Sequence, residues 1–581
     1  MRFFNSCLHS GDINVQLKGL VFEMSRNSMN HFAVNPQINI SRSRFDLDST
    51  VKFTGNSGDL IPFYVMEVLP GDTFEVKTSM VARLQTLIHP IMDNLYMDTY
   101  YFFVPNRLVW DHWQQFCGEP NKAWTPDVEY EVPQIAIYLN SPRYQTDGEY
   151  DFNKFAGYFK DTVIDYMGLG LNSGLEPEVG IDSYYKFNAL PVRAYNKIYD
   201  DWFRDENLID PINLYTGDAM VYFSDESPVN GGKCYKAAKI HDYFTSALPQ
   251  AQRGNPVELA FGDNIVKGVK TFSSDFTDLG NTSLKVKVGT STTPSIVRSN
   301  SDNLLNTGGS SGGSGVLPTN LGLDLSNLSL GITINDLRLA FQVQKFMEKS
   351  ARGGARYIEL LKEMFGVTSP DSRLQRSEYL GGHRIPINIH QIVNQTETID
   401  APLGNTGAMS LTSDVHNDFI HSFVEHGFVI GICVVRYKHS YSQGFNRFWS
   451  RKTKFDYYWP VFANIGEQPI RNKEIYATRD EGEDVFGYQE AWADYRYVPD
   501  RVAGEMRPGI PNTLASWHLG DYYDTTPYLA KDWIEESLAP VDRAIAVTSA
   551  VSDQFLFDFY IQNRATRPMP VYSIPGLADH L

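Results

Sequence analysis

The chain has few cysteines and no long apolar run, and these two shortages exclude whole classes of protein. Four of its 581 residues are cysteine, and they stand far apart with no CxxC pair or metal-ligand spacing. This predicts reduced thiols and no disulfide framework. The longest apolar run, residues 428–435, is too short to span a bilayer and predicts a buried strand. The first seven residues lack the apolar core of a signal peptide. We predict neither secretion nor membrane insertion.

Motifs that carry chemistry are also lacking. Gly308-Gly309-Ser310-Ser311-Gly312 has the GxSxG spacing of a nucleophile elbow, but it lies inside a Gly/Ser tract and not at a strand-to-helix turn. The histidines at positions 383, 390, 421, 426 and 439 do not show paired zinc-ligand spacing. The acidic run at 480–484 departs from the calcium-loop pattern and predicts a solvated turn. We therefore predict no catalytic residue, no metal site and no cofactor.

Positive charge is scarce. The chain has 51 Lys and Arg but 69 Asp and Glu, which gives a formal net charge of −18. Such a protein would repel a nucleic acid unless its cations are gathered on one face or a basic partner supplies counter-charge. Residues 24–45 contain no acid but include Arg26, Arg42 and Arg44. They predict an extended, weakly basic arm, and its three arginines are candidates for contact with nucleic acid.

Aromatic residues, glycine and proline are abundant and favour a β-rich scaffold with elaborate loops. The chain has 33 Tyr, 35 Phe, 9 Trp, 44 Gly and 30 Pro. The run from Tyr100 to Val104 predicts a strand covered on both faces. Strand patterns begin near Ile61 and return at 424–437 and 554–560, with long excursions between them. This spacing is typical of an antiparallel sandwich with expanded loops.

A few segments predict helices. One begins at Asn106 and ends at Gly118, and a second begins at Pro191, a favoured first helical position. The longest helical pattern begins near Asp336, is interrupted at Gly353-Gly354 and ends at Gly366. Before it, residues 256–331 are rich in Ser, Thr, Gly and Asn, and the Gly/Ser run at 308–315 has the composition of a flexible loop tip.

Aromatic rings alternate with cations between Tyr441 and Trp459. This mixture suits single-stranded nucleic acid, because rings stack on any base while cations follow the phosphates. It also suits a subunit interface, which is the commoner use of the same residues. The sequence leaves both interpretations open, and Arg564 and Arg567 near the end pose the same choice. The candidates for DNA contact in this segment are Arg447, Arg451, Lys452 and Lys454.

Tyr, Trp, Asn and Arg are densest in residues 188–207 and 241–254. These side chains build tight, partly polar contact surfaces, so both stretches predict contacts between subunits. The interface candidates are Tyr195, Trp202, Arg204, Tyr243, Phe244 and Arg253.

Several segments closely resemble the major capsid proteins of gokushovirus-type Microviridae. They are residues 190–206, 241–254, 336–366 (with Lys349-Ser350-Ala351-Arg352-Gly353-Gly354-Ala355-Arg356-Tyr357), 372–382 and the ending Met569-Pro570-Val571-Tyr572-Ser573-Ile574-Pro575-Gly576-Leu577. The resemblance runs from about Met24 to the last residue and is weak over 256–331. It implies a mainly β fold, an eight-stranded antiparallel jelly-roll sandwich with long loop insertions and a few helices. It also implies a T=1 icosahedral shell around circular single-stranded DNA, with a protrusion at the three-fold axes.

From the residues and the resemblance together we expect five regions. They are an upstream extension (1–23) before a native start at Met24, an extended N-terminal arm (24–60), a first jelly-roll part with insertions (61–255), a surface insertion and candidate three-fold protrusion that attaches to the host (256–331), and a second jelly-roll part with helices and a C-terminal arm (332–581).

The expected function is structural and not enzymatic. The expected partners are further copies of the chain, the single-stranded DNA genome, a small basic DNA-binding protein and a host surface receptor. The expected location is the virion, assembled in the cytoplasm of a bacterial host. A receptor-binding or carbohydrate-binding β protein of a phage is the alternative, because it would also explain the aromatic excess. An enzyme on a jelly-roll scaffold ranks third.

Overall fold

The computed structural model of the chain describes residues 41–119, 129–147, 149–170, 184–254, 334–354, 356–395, 403–404 and 406–572, together with short strands between residues 269 and 323. In chain order the strands are β1 (Ser43–Asp46), β2 (Ser49–Gly55), β3 (Ile61–Val68), β4 (Thr73–Leu84), β5 (Leu95–Pro105), β6 (Gln134–Tyr138), β7 (Gln145–Thr146), β8 (Glu149–Tyr150), β9 (Tyr184–Asn188), β10 (Val221–Tyr222), β11 (Val269–Thr271), β12 (Lys285–Val288), β13 (Ser295–Ile296), β14 (Arg298–Ser299), β15 (Leu305–Asn306), β16 (Val316–Pro318), β17 (Leu321–Leu323), β18 (Glu378–Pro386), β19 (Ile389–Val393), β20 (Thr406–Ser410), β21 (Thr412–Ser422), β22 (Gly427–Tyr437), β23 (Glu467–Arg471), β24 (Val485–Glu490) and β25 (Phe555–Arg567).

Eight of these strands form two four-stranded antiparallel sheets. The first sheet has the order β2, β25, β4, β21, and the short β1 pairs with the far end of β25. The second has the order β3, β22, β5, β18. β2 and β25, the first and last of the eight, lie side by side although about 500 residues separate them. This is the topology of an eight-stranded jelly roll, and the predicted fold class is confirmed.

The main core lies between the two sheets. β25 alternates buried Phe555, Phe557 and Phe559 with outward-facing side chains, as a strand with one solvated face must. From the opposite sheet, Phe63 packs edge-on against Phe559 with ring centroids 4.8 Å apart. Polar groups in the core are paired across the sandwich, and Tyr101 Oη lies 2.7 Å from Thr78 Oγ1.

The second sheet is covered on its outer face as well. Every residue of β22 from Gly427 to Val435 is buried, as is nearly all of β5. The outward side chains of both strands, such as Phe102 and Ile430, pack against Tyr195 and Ile198 of a helix that crosses the sheet. The predictions of a strand covered on both faces at 100–104 and of a buried strand at 428–435 are confirmed.

The helices are short except for one. In chain order they are α1 (Trp113–Phe116), α2 (Phe152–Phe159), α3 (Val163–Tyr166), α4 (Leu190–Ile198), α5 (Ile334–Gly353), α6 (Tyr357–Phe365), α7 (Asn472–Ile475), α8 (Lys531–Ile534) and α9 (Ala539–Ala544). No helix in the described ranges is both long enough and apolar enough to cross a membrane.

The predicted helices are found, with one difference at the first. Pro191 lies in the first turn of α4, and Gly354 separates α5 from α6 with a φ of +100°, which favours glycine. The single helix expected from Asn106 is instead a 3₁₀ turn, Asn106–Leu108, followed by α1. Asn106 is the first residue of this turn and not its cap, because the N-cap position is Pro105, which forms no side-chain hydrogen bond to the turn.

One expectation about strands was wrong. Strands begin at Ser43 and not near Ile61, because Val51 and Phe53 of β2 face the core while polar residues between them face outward. The Asn/Ser-rich composition of the arm hid this alternation. Within 256–331 the structure has three small antiparallel sheets, built from β11 and β17, from β12, β13 and β16, and from β14 and β15. The Gly/Ser run at 308–315 lies outside the described residues.

Candidate assembly and nucleic-acid surfaces

The segment at 445–462 exposes a dense group of aromatic rings. Three 3₁₀ turns, Arg447–Ser450, Lys454–Asp456 and Pro460–Phe462, shape it. Trp449 is 73% exposed, and its neighbours leave roughly half of each ring accessible. The exposed rings are Phe445, Phe448, Trp449, Phe455, Tyr457, Tyr458 and Trp459. We call this group the aromatic patch.

Local hydrogen bonds hold the patch in shape. Asp456 accepts the backbone N–H groups of Lys452 (2.8 Å) and Thr453 (2.6 Å), which closes the second turn. These bonds favour the ionised carboxylate and lower the pKa of Asp456. The Trp459 indole N–H donates to the Lys454 carbonyl over 2.8 Å. The backbone that carries these rings is therefore held by hydrogen bonds, and the rings are exposed on a well-defined surface.

The cations of this segment fall into two groups. Arg447 donates to the Pro469 carbonyl over 3.2 Å and lies 3.9 Å from Glu474, whereas Arg451 pairs with Asp494. Both arginines therefore have their charge balanced by a carboxylate of the same chain. The two lysines, Lys452 and Lys454, are exposed and form no ion pair with a described residue. Two of the four predicted DNA contacts thus bind inside the subunit.

A cavity of about 290 Å³ lies beside the patch and has mainly aromatic walls. Tyr243 and Tyr497 stack with centroids 5.1 Å apart, and the Arg451 guanidinium lies 4.3 Å above the Tyr495 ring. Glu474 at the floor accepts a hydrogen bond from Tyr243 Oη (3.2 Å), and burial raises the pKa of Glu474. Apolar walls with a few paired charges suit an apolar or aromatic group better than a phosphate.

The described part of the N-terminal arm is joined to the first sheet. Arg26 lies outside the described residues. Arg42 is exposed beside the turn at Gly71, and Arg44 in β1 is exposed and pairs with Glu75 over 3.4 Å. Contact of these arginines with DNA stays a prediction. Glu75 reduces the net charge that Arg44 could offer to a phosphate.

Three of the six predicted interface residues are core residues of the subunit. Tyr195 is 0% exposed, and its hydroxyl donates to the Leu60 carbonyl over 2.8 Å. Tyr243 and Phe244 are buried, and Phe244 packs edge-on against Tyr441 at 4.8 Å. A side chain covered by its own chain has no surface left for a neighbour. The interpretation of these three as interface residues is therefore corrected.

The other three interface candidates are partly exposed but have partners within the chain. The Trp202 indole N–H donates to Ser377 Oγ over 3.0 Å, and Arg376 lies 3.9 Å above its ring. Arg204 pairs with Asp200 at 2.7 Å. Arg253 donates to Asn207 Oδ1 over 2.7 Å. Their contact with another subunit stays a prediction.

The distinctive segments at 190–206, 241–254 and 349–357 meet around one cleft of about 480 Å³. The Arg356 guanidinium donates to the carbonyls of Asp200 (3.0 Å) and Arg204 (2.9 Å), and its backbone N–H lies 3.2 Å from Glu206 and 3.1 Å from Glu359. Burial and the nearby Glu206 raise the pKa of Glu359. The high density of Tyr, Trp and Arg in these segments thus serves to dock long loops onto the sandwich.

Histidine, cysteine and acidic side chains do not gather into a metal-binding group of three or more anywhere in the described ranges. The acidic run at 480–484 forms a turn in which Glu483 pairs with Lys473 at 2.6 Å. His383 makes a ring contact instead, because its ring centroid lies 4.2 Å from that of His416.

Known proteins are similar to this chain over almost its whole length. Residues 34–577 match the family model described as capsid protein (F protein). Capsid protein VP1 of Chlamydia phage 1 is 38% identical over 617 aligned positions, which cover 94% of this chain and 98% of that protein. Capsid protein VP1 of Bdellovibrio phage phiMH2K is 36% identical, covering 95% and 98%. Capsid protein VP1 of Spiroplasma virus 4 is 36% identical, covering 93% and 96%.

Proposed function

The chain belongs to the F-protein family of phage capsid proteins, and we propose that its copies assemble into a T=1 icosahedral shell around a circular single-stranded DNA genome. As a capsid protein of the gokushovirus type of Microviridae, it is a structural component of the virion, and its relatives are not enzymes. This membership replaces the alternative of a receptor-binding or carbohydrate-binding β protein. Assembly in the cytoplasm of the host is part of the proposal.

The observation that carries the proposal is the size of the aromatic patch. A fully buried aromatic side chain removes about 150–250 Å² from water, so seven half-exposed rings offer on the order of 700 Å². The largest apolar patch of a monomer is about 300–600 Å², and a stable interface buries about 800 Å² per partner. The patch therefore has the area of a subunit interface. The balanced charges of Arg447 and Arg451 support a protein partner over DNA.

Sedimentation of the expressed full chain tests this function. We expect the wild-type protein to form megadalton particles, and Trp449→Ser with Phe455→Ser to reduce their yield by about tenfold or more. Val551→Ser is the matched control, because Val551 is an exposed apolar side chain on a turn outside the patch. A wild-type chain that stays a small discrete oligomer would contradict the proposal.

A second pair of substitutions separates the interface from a DNA contact. Lys452→Ser with Lys454→Ser leaves the rings in place and removes the two unpaired cations. If the segment is a protein interface, these variants form particles with the wild-type DNA content. If the segment binds DNA, particles form but carry less DNA, or their affinity for DNA falls less steeply as the salt concentration rises.

We also propose that a small, strongly basic protein accompanies the genome. The formal charge of −18 per chain opposes packaging of a polyanion, and the described cations near the patch are partly balanced by carboxylates. Protein analysis of purified virions checks this. Virions without any basic peptide would contradict it.

Residues 256–331 are proposed to form the outward insertion that attaches to a host receptor. Loops on a rigid sandwich vary with little effect on the scaffold, which makes them suitable for recognition. Replacing residues 308–315 with another flexible linker should leave particles intact, and shortening the larger insertion should reduce attachment more than assembly. Failure of the shortened chain to form shells, with a folded subunit, would make the segment a clamp between subunits instead.

A further inference from the structure

Helix α5 stands out because most of it is not covered by the residues that the structure describes. At 20 residues it is about 30 Å long. Its C-terminal end is anchored, since Ser350 and Ala351 are buried and Arg352 pairs with Glu467 and Glu490. Toward its N-terminal end, large apolar side chains are exposed instead. An isolated helix of this length is marginal in water, and most helices are stabilised by packing an apolar face.

The exposed side chains of α5 include two rows, one along each edge of the exposed half of the helix. Residues spaced three or four apart lie on one side of a helix. One row alternates apolar and basic residues, namely Ile334, Arg338, Phe341, Lys345 and Lys349. The other row carries Leu339 and Phe346, and the exposed Asn335 and Gln342 lie between the two rows. Leu339 is 65% exposed, Phe341 64% and Phe346 54%. We call the two rows together the α5 face.

The cations of the α5 face differ from Arg447 and Arg451 beside the aromatic patch, whose charges are balanced by Glu474 and Asp494. Among the described residues, no carboxylate forms an ion pair with Arg338, Lys345 or Lys349. The chain as a whole has 18 more acidic than basic residues. An unbalanced basic row on a net acidic protein is electrostatically complementary to the remaining surface of the same protein.

We propose that the α5 face docks on an acidic and apolar surface of a second copy of this chain. Ile334 and Leu339 are aliphatic and cannot stack on bases, so the face suits a protein partner better than single-stranded DNA. Its four large apolar side chains expose on the order of 400 Å² along the two edges of the exposed half of the helix, so a groove that receives the helix would contact apolar side chains on both of its walls. This inference rests on the proposed assembly of the chain into a shell and adds a contact separate from the aromatic patch.

Photo-crosslinking identifies the partner directly. The full chain is prepared with p-benzoylphenylalanine in place of Phe341, assembled into particles and irradiated. We expect a covalent product of twice the chain mass that nuclease treatment does not change. A product that nuclease shortens would show that the face meets DNA, and a monomer alone would show that nothing covers it. Either of these two results would overturn the proposal.

Substitutions test whether the contact supports assembly. We expect Leu339→Ser with Phe346→Ser, and separately Lys345→Glu with Lys349→Glu, to lower particle yield by about tenfold. Because these side chains are exposed in the single chain, the thermal unfolding of the unassembled subunit should not change. Val424→Ser, at an exposed loop position, is the control.

The outcomes also separate this inference from the proposed function. If the wild-type chain forms no particles, the proposed function fails, and the α5 inference fails with it. If the wild-type chain and all α5 variants form particles equally well, the proposed function stands and the α5 contact is wrong.

Discussion

A buried group of four charged side chains joins segments of the chain that are far apart in sequence, around residues 239, 439, 521 and 536. His439 Nδ1 lies 2.9 Å from Asp521 Oδ1, and His439 Nε2 lies 3.0 Å from Glu536 Oε1. Lys239 Nζ lies 3.1 Å from Asp521 Oδ2. All four residues are buried. Two cations and two anions therefore balance each other away from solvent, which predicts a large cost when one of them is removed.

The perturbation is His439→Ala. It leaves two buried carboxylates with one ammonium group, and breaking a buried ion pair in this way costs about 3–5 kcal/mol. Replacing the His439–Glu536 pair as a whole by His439→Leu with Glu536→Gln removes one charge of each sign. We therefore expect the double variant to be more stable than His439→Ala by about 1 kcal/mol or more.

The pH dependence has a definite sign. Burial alone would lower the pKa of His439, but Asp521 and Glu536 outweigh it and raise the pKa to about 9. The stabilisation from His439 is therefore complete below its ordinary value near 6.5 and is lost as pH rises through 9. For Asp521, burial opposes ionisation, but His439 and Lys239 outweigh it and lower the pKa. Its contribution is lost only in acid, below the ordinary value of 3.8.

Urea unfolding followed by tryptophan fluorescence measures both effects. Trp533 reports on the site, because Lys239 Nζ lies 4.6 Å from the centroid of its ring. At pH 7 we expect a lower urea midpoint for His439→Ala, and this difference should shrink between pH 7 and 9.5 as the wild type loses its advantage. His390→Ala is the control, since His390 is exposed on β19. If His439→Ala unfolds at the same urea concentration as the wild type and the control, the charged group does not stabilise the fold.

Three further predictions use the same unfolding assay. Tyr195→Phe should cost about 1–2 kcal/mol, because it leaves a buried carbonyl without its donor; no change would mean that the bond is not formed. Gly427→Ala should destabilise by about 1–3 kcal/mol, since a Cβ there would lie 2.4 Å from a backbone carbonyl oxygen, whereas Gly407→Ala, with nothing closer than 4.0 Å, should be near neutral; equal effects would refute the packing argument. Asp98→Ala should cost about 1–3 kcal/mol, because it leaves Arg384 and the more buried Arg436 without their shared carboxylate; a loss no larger than that of an exposed acid would contradict this.

The sequence predicted the elements that depend on local pattern. The continuous apolar runs at 100–104 and 428–435 indicated strands buried on both faces, and both lie in the second sheet. The helix breaks at Gly353-Gly354 and Gly366 were predicted because a left-handed backbone favours glycine. The strands at 43–55 were missed, since their two inward side chains stand among polar residues and resemble a loop in composition.

The candidate site was harder to predict because composition does not distinguish an internal contact from an external one. Tyr195, Tyr243 and Phe244 belong to segments with the composition of an interface, yet they pack inside the subunit. The basic row on α5 is visible in the sequence as spacings of three and four, but these spacings do not tell whether the row is exposed. Its exposure depends on which loops cover it, and no local pattern encodes that.

The sequence by itself therefore determined the fold class, the buried strands, the helix breaks at Gly354 and Gly366 and, through its distinctive segments, the family. Those properties follow from short-range periodicity, backbone preferences and segment identity. The tertiary structure alone decided which of the many Tyr, Trp and Arg side chains remain accessible, which cations are balanced by carboxylates such as Glu474 and Asp494, and that β2 and β25 are neighbours. These depend on contacts between residues hundreds of positions apart, so exposure and charge balance become defined only when the sandwich is closed.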